Sequence, residues 1–422
     1  MTGRAATLYG IRGTYAVLTF ALGAIVARTW GTETFGRFSL MWTVVVVATI
    51  VGGAGSGSYL IEMFPQLDSS EFSRLAQRLA LVALGMGVLG SLLAMPVLMA
   101  LDALPLATLS VLPASLHSML NSGLIAQSKQ LFAGFLDGVA RPVITLGVVL
   151  LAGWQGWSPE LALTSGLVFG YTITAGISAA ITLPRRRVVN VESRTIALPP
   201  ILGPLSTFAG IGLLVTLMAQ GDRFVLNHLG SVVDVAHYAA AQNTSNIVIY
   251  GVNSISSLAL PQLAEAINSN KSQAVNTSVD RLIRSLILIS AASGLIAALF
   301  GQRLLVVFGP GFTNARWPLA ILLFGMCASL TFGFPVSVMS MSWLRRWVLV
   351  HLSCGVVVMM VIASILVPFL GATGAALANA IAAVVVRAAI HVQLGRAGLP
   401  TYWALSRGRS TTRGPLASTL HG

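Results

Sequence analysis

Apolar residues run along this chain in stretches of roughly 20, the length a helix needs to cross about 30 Å of hydrocarbon. Twelve such stretches are predicted as spanning helices: Tyr9 to Ala27, Phe38 to Glu62, Leu79 to Leu101, Pro105 to Ala126, Phe132 to Leu151, Leu161 to Leu183, Ile201 to Leu226, Ala236 to Leu260, Leu282 to Phe300, Pro318 to Met341, Val348 to Phe369 and Gly371 to Val392. The longest connections between them, Phe64 to Arg78, Pro184 to Pro199 and Ala264 to Asp280, all fall on the side of the N-terminus.

A polar side chain inside such a run is costly unless it faces protein or water, so alignment of polar positions marks a packed or wet face. In the eighth stretch Asn243, Asn246, Tyr250, Asn253 and Ser257 follow at spacings of 3, 4, 3 and 4. At about 100° per residue they share a sector under about 90° wide. The seventh stretch carries Thr216, Gln220 and Arg223, with Asp222 beside the arginine, and the fourth carries Ser110, His117 and Asn121 around an expected kink at Pro113. Arg387 lies well inside the last stretch, two turns after Asn379. A buried guanidinium keeps its proton and needs a carboxylate, water or an anionic ligand. Arg141 has such a partner four residues earlier in Asp137, at the spacing that places both on one helix face. Helix packing glued by amides and a water-filled path both fit the eighth stretch. Gly52, Gly53, Gly55 and Gly57 make a bend cheap in the second.

Composition agrees with lipid as the main solvent: the 422 residues are 55% hydrophobic and 9% charged, with a mean hydropathy of +0.84. A net charge of +13 would suit nucleic acid, but the basic residues sit between apolar runs and form no soluble basic module, which excludes a nucleic-acid partner. With twelve spans both termini share a side. Eighteen basic residues fall on that side and four on the other, while Arg141, Arg223 and Arg387 lie within spans, which places both termini in the cytoplasm. Cys327 and Cys354 have no ligand-spaced partners and imply neither a disulfide nor a metal site. No cofactor is expected. The first apolar run is long enough to span and reads as an uncleaved helix.

The Pro184 to Pro199 connection divides six spans from six, giving an N-terminal lobe over 1–190, a C-terminal lobe over 191–395 and a basic cytoplasmic tail over 396–422. A faint repeat links the halves: Gly36, Arg37 and Phe38 lead to Pro65, Gln66 and Leu67 in the first, and Ala236, His237 and Tyr238 to Pro261, Gln262 and Leu263 in the second. The expected fold is an all-α integral membrane protein of about 12 transmembrane helices, in two six-helix lobes around a central cavity.

Four stretches carry a family resemblance. Ala27, Arg28, Thr29, Trp30 and Gly31, followed by Phe35 to Phe38, form the first; Gly221 to Leu226 followed by His237 to Ala240 the second; Phe308 to Phe312 the third; and Leu370 to Ala376 the fourth. In this order they resemble the Wzx-type oligosaccharide flippases of the multidrug/oligosaccharidyl-lipid/polysaccharide exporter superfamily. Phe38 stands where that family usually has Tyr, and Ala236 where it has Gly. The resemblance implies a bacterial cytoplasmic-membrane carrier, not an enzyme, that turns a polyprenyl-diphosphate-linked oligosaccharide to the outer leaflet by alternating access. It further implies contact with membrane lipids and with other polysaccharide-assembly proteins. On that reading Arg223 and Arg387 meet the diphosphate, Asn243, Asn246 and Asn253 bond sugar hydroxyls, and Thr216 and Gln220 lie beside them. The alternatives are a multidrug or cation antiporter of the same superfamily, which would call for buried carboxylates, and a non-transporting membrane protein of the polysaccharide pathway.

Overall fold

The computed structural model describes residues 3–183, 199–248, 272–332, 335–340 and 344–397. Among them the regular structure is entirely helical. In chain order the helices are α1 (Gly3–Gly53), α2 (Ser56–Met63), α3 (Ser69–Ala100), α4 (Val111–Ala126), α5 (Gln130–Phe135), α6 (Arg141–Trp154), α7 (Pro159–Thr182), α8 (Pro199–Gln220) and α9 (Asp222–Leu229). They continue as α10 over 232–248, then α11 (Ser272–Leu305), α12 (Arg316–Leu330), α13 (Pro335–Ser340), α14 (Arg345–Leu370) and α15 (Ala372–Arg396). Among the described residues eight helical stretches are long and apolar enough to cross a membrane.

Local chemistry sets the breaks. At about 1.5 Å per residue the 51 residues of α1 would exceed twice the hydrocarbon thickness. Gly31 interrupts them, with φ 88° and ψ 174°, a backbone that a Cβ disfavours. The second span breaks where its glycines cluster: α1 ends at Gly53, Gly55 takes φ 72°, and α2 begins at Ser56. Ser158 caps α7, its hydroxyl accepting the Leu161 N–H, with Pro159 and Glu160 in the first turn. Pro113 does not kink the middle of a span as expected. It sits in the first turn of α4, after a 3₁₀ segment over Pro105–Ser110, where its missing N–H costs no helical bond. Between α5 and α6 one π-helical turn, Leu136–Ala140, is closed by the Arg141 N–H bonding to the Leu136 carbonyl. Pro142 explains it: the ring offers no N–H to the preceding turn and crowds its carbonyls, which a wider turn relieves.

By packing, the chain forms two compact units, Met1–Asn227 and His228–Gly422. The first includes α8, which packs on the second span. Bare Gly55 backbone lies against Leu205, Phe208 and Ala209 of α8, and Tyr59, Leu60, Phe72, Leu75, Leu120 and Leu205 share one buried cluster. In the second unit α14 packs with α15, and α12 with both α11 and α15. Gly325 abuts Ala380 there, the small-on-small contact that lets membrane helices approach. Leu81, Leu92, Leu299, Val357, Ile365 and Phe369 point outward, the surface that lipid rather than water accepts. Trp154 is 85% exposed and Trp157 also projects outward, as expected of interfacial anchors.

Candidate functional site

Arg387 projects from the middle of α15 and is half-buried. Its guanidinium donates to the Ser329 hydroxyl of α12. Asn379, two turns earlier, is within reach of the Met359 sulfur on α14, and His391, one turn later, stands edge-on to Phe332. Among the described residues no carboxylate pairs with Arg387, so a permanent positive charge deep in an apolar helix meets only a neutral hydroxyl. Desolvating such a charge without a counter-ion costs several kcal/mol.

Arg223 has a different environment. Only 4% exposed, it donates through Nη1 to the Ser39 carbonyl at 3.1 Å and to the Thr43 hydroxyl at 3.0 Å. Thr43 Oγ1 is also 3.2 Å from Gln220 Oε1. Arg223 and Gln220, two of the residues expected at the substrate, thus join in a clasp that holds the end of α8 and the start of α9 to α1. Ser39 and Thr43 had no place in the sequence reading, because nothing in an apolar run marks a carbonyl or a threonine as the acceptor for an arginine far along the chain. Thr216 is half-buried one turn before Gln220. Asn243 and Asn246 are half-buried on α10; Asn253, with Tyr250 and Ser257, lies outside the described residues.

A second polar cluster occupies unit one. Arg141 Nε donates to Asp137 Oδ1 at 3.0 Å, the pair expected from spacing. Arg141 also lies over the rings of Tyr171 and Tyr15, 4.9 Å and 5.6 Å from their centroids, and His117 Nε2 is 3.5 Å from the same Asp137 oxygen. Tyr15 and Tyr171 are additions to the sequence reading. A signal for Tyr171 did exist: Thr164, Tyr171, Thr174, Ser178 and Thr182 follow at helical spacing on α7, and all are buried.

The stretches that carry the family resemblance occupy turns and close contacts. Gly31, Gly309 and Gly371 all have positive φ. In unit two, His237 Nε2 is 2.9 Å from the Gly311 carbonyl and its ring meets Phe312 edge-on, while Tyr238, Ala239 and Ala240 are fully buried. A side chain at Gly371 would meet Asp234 Oδ1 at 2.7 Å. His237 of the second stretch, the third stretch and Gly371 of the fourth therefore lie together around the start of α10.

No protein-family model matches the chain, and no curated protein matches it in sequence. Solved structures do match in fold. An inward-facing multidrug resistance MATE family transporter of the MOP superfamily superposes with a TM-score of 0.66 at 16% identity, covering 96% of this chain and 99% of that one. The lipid II flippase MurJ, in an inward closed conformation, superposes with a TM-score of 0.69 at 12% identity, covering 95% and 90%. A MOP superfamily transporter from Pyrococcus furiosus, described by a reverse polarity of its binding pocket, gives 0.64 at 14% identity, covering 95% and 96%. The fold is that of MOP superfamily transporters.

Proposed function

We propose that this chain is a membrane carrier that moves a polyprenyl-diphosphate-linked oligosaccharide from the inner to the outer leaflet by alternating access. One observation carries the reading: Arg387 is a fixed cation inside an apolar helix, with a hydroxyl and no carboxylate beside it among the described residues. An anion that arrives and leaves supplies the missing charge, and a diphosphate offers several acceptor oxygens to a guanidinium. The fold supports the same reading, since a lipid II flippase and multidrug transporters share it. A lipid-linked substrate therefore has a precedent in this architecture.

Asn243, Asn246 and Asn253 supply amides for sugar hydroxyls, and Thr216 and Gln220 extend that polar set. Arg223 serves this reading by holding Gln220 in place through Thr43. The six-span lobes, 1–190 and 191–395, are the proposed moving bodies, with both termini in the cytoplasm of a bacterial cell. A multidrug or cation antiporter is the rival outcome. The test uses the purified protein in proteoliposomes, loaded with a fluorescently tagged polyprenyl-diphosphate oligosaccharide or with a cationic dye. Protein-dependent exchange of the tagged lipid between leaflets is expected. Transport of the dye with no exchange of the lipid would overturn the proposal.

A further inference from the structure

We infer that Ser329 couples anion binding at Arg387 to movement of the end of α12: its hydroxyl tethers that turn to the guanidinium, and an arriving anion displaces it. The inference rests on the reading of Arg387 as the anion site. Ser329 is fully buried in the last turn of α12. Its hydroxyl donates to the Met326 carbonyl at 2.8 Å. That commits its hydrogen to the main chain and leaves the oxygen as the acceptor for Arg387 Nη1. Guanidinium, hydroxyl and carbonyl thus form one relay from α15 to the backbone of α12.

The position of this relay gives it a mechanical role. α12 ends at Leu330 and α13 begins at Pro335, a residue with no N–H to carry a helix on. Two helices therefore stand where the sequence predicts one span, Pro318 to Met341, and the first ends beside Arg387. The turn at that end is loosely held within itself. The Thr331 and Phe332 amides bond back three residues, to the Ala328 carbonyl at 3.3 Å and the Ser329 carbonyl at 3.4 Å, both longer than an ordinary N–H···O bond. The Thr331 hydroxyl adds a bond to Ala328. Contacts between α12 and α15 follow in order: Gly325 with Ala380, Ser329 with Arg387, and Phe332 edge-on to His391 with 5.8 Å between ring centres. Gly325, one turn before Ser329, is a close-packed fulcrum, and the Cys327 thiol ties the same part of α12 to the Ile287 carbonyl of α11. The tether lies between that fulcrum and the helix end, so it restrains the part of α12 best placed to swing.

The chemistry of the exchange selects what releases the tether. Ser329 offers the guanidinium one neutral acceptor. A phosphate group offers charged oxygens that a guanidinium fork takes with two parallel N–H···O bonds. An end-on fork uses both Nη atoms, so Nη1 leaves Ser329 as the anion is taken. A neutral sugar hydroxyl only matches what Ser329 already provides, and a cation is repelled by the arginine. The tether thus answers to anions and not to polyols or cations. Binding at Arg387 reaches the end of α12 without any contact between ligand and helix end, because the bound state no longer carries the restraint. That difference between the two states is what a ligand needs in order to shift a conformational equilibrium.

The test follows amide hydrogen exchange over Leu330–Phe332 in the full chain, held in lipid nanodiscs, with inorganic pyrophosphate as the probe. With no ligand added, Ser329→Ala should speed exchange there by roughly tenfold, the loss of a hydrogen bond to a charged group. Ser329→Thr, which keeps the hydroxyl, should restore the wild-type rate. Pyrophosphate should speed the same amides in the wild type and leave Ser329→Ala unchanged. It should also bind Ser329→Ala more tightly than the wild type, since no hydroxyl has to be displaced; a serine that only fills space would not alter that affinity. Wild-type exchange in ligand-free Ser329→Ala overturns the proposal. So does bound pyrophosphate that leaves wild-type exchange unaltered, or weaker binding by Ser329→Ala, which would make Ser329 a ligand and not a competitor. Pyrophosphate that does not bind the wild type is a different failure: it removes Arg387 as an anion site, and the displacement with it.

Discussion

Arg141 and Arg387 are the same side chain placed well inside apolar helices, and their surroundings are opposite. Arg141 has a carboxylate, two aromatic faces and a phenol around it. Arg387 has a serine hydroxyl. The first arginine is paired within the protein; the second has no carboxylate beside it among the described residues. Position in a span therefore does not distinguish a cation paired within the protein from one proposed to meet a substrate. The inventory of partners does.

The comparison can be broken at several points. The largest effect should come from Arg387→Ala, which is expected to abolish surface polysaccharide in a complemented deletion strain while the protein level, read by immunoblot, stays intact. Normal polysaccharide output would remove Arg387 from the site. At Arg141 the same change should act on folding, because Asp137 would be left as an uncompensated charge. A loss of about 1.5–3 kcal/mol is expected, the contribution of a charged hydrogen bond to a half-exposed carboxylate, visible as a lower thermal midpoint in detergent. Replacing Asp137 and Arg141 together by Leu should cost less than Arg141→Ala alone, since no orphan charge remains. Gly138→Ala should be smaller again, about 1–3 kcal/mol for forcing a methyl against Ile11. It should be accompanied by weaker packing of Tyr15 on Arg141, detectable as altered tyrosine fluorescence.

What the sequence revealed and what it hid follow from the range of the interactions. The all-helical, apolar character of the chain was legible because hydropathy is a local property summed over about 20 residues, and eight long apolar helices stand among the described residues. The Asp137–Arg141 pair was legible because four residues is the helical repeat. The bend near Gly55 could be anticipated from the cost of glycine in a helix, and the structure breaks the span there. The clasp of Arg223 on Ser39 and Thr43 could not be read, since it joins residues remote in sequence and one acceptor is a main-chain carbonyl. His117 was visible as a polar position in the fourth stretch and Tyr171 was not singled out, and only tertiary packing sets both around Asp137. Pro113 shows a misplaced local expectation: proline kinks a helix from its interior and is accommodated in its first turn, and the turn boundary lay closer to Pro113 than the apolar pattern suggested. The family-like stretches marked turns, at Gly31, Gly309 and Gly371. A resemblance built on such positions reports a shared fold more directly than a shared substrate.

The central claim is that Arg387 meets the anionic head of a lipid-linked substrate. Binding of a short-chain polyprenyl diphosphate to the purified protein, wild type against Arg387→Ala, measures this with no requirement for a complete transport cycle. A charge-assisted hydrogen bond contributes about 1.5–3 kcal/mol, so the account predicts affinity weaker by roughly tenfold or more in the variant. Equal affinity in the two proteins would contradict it.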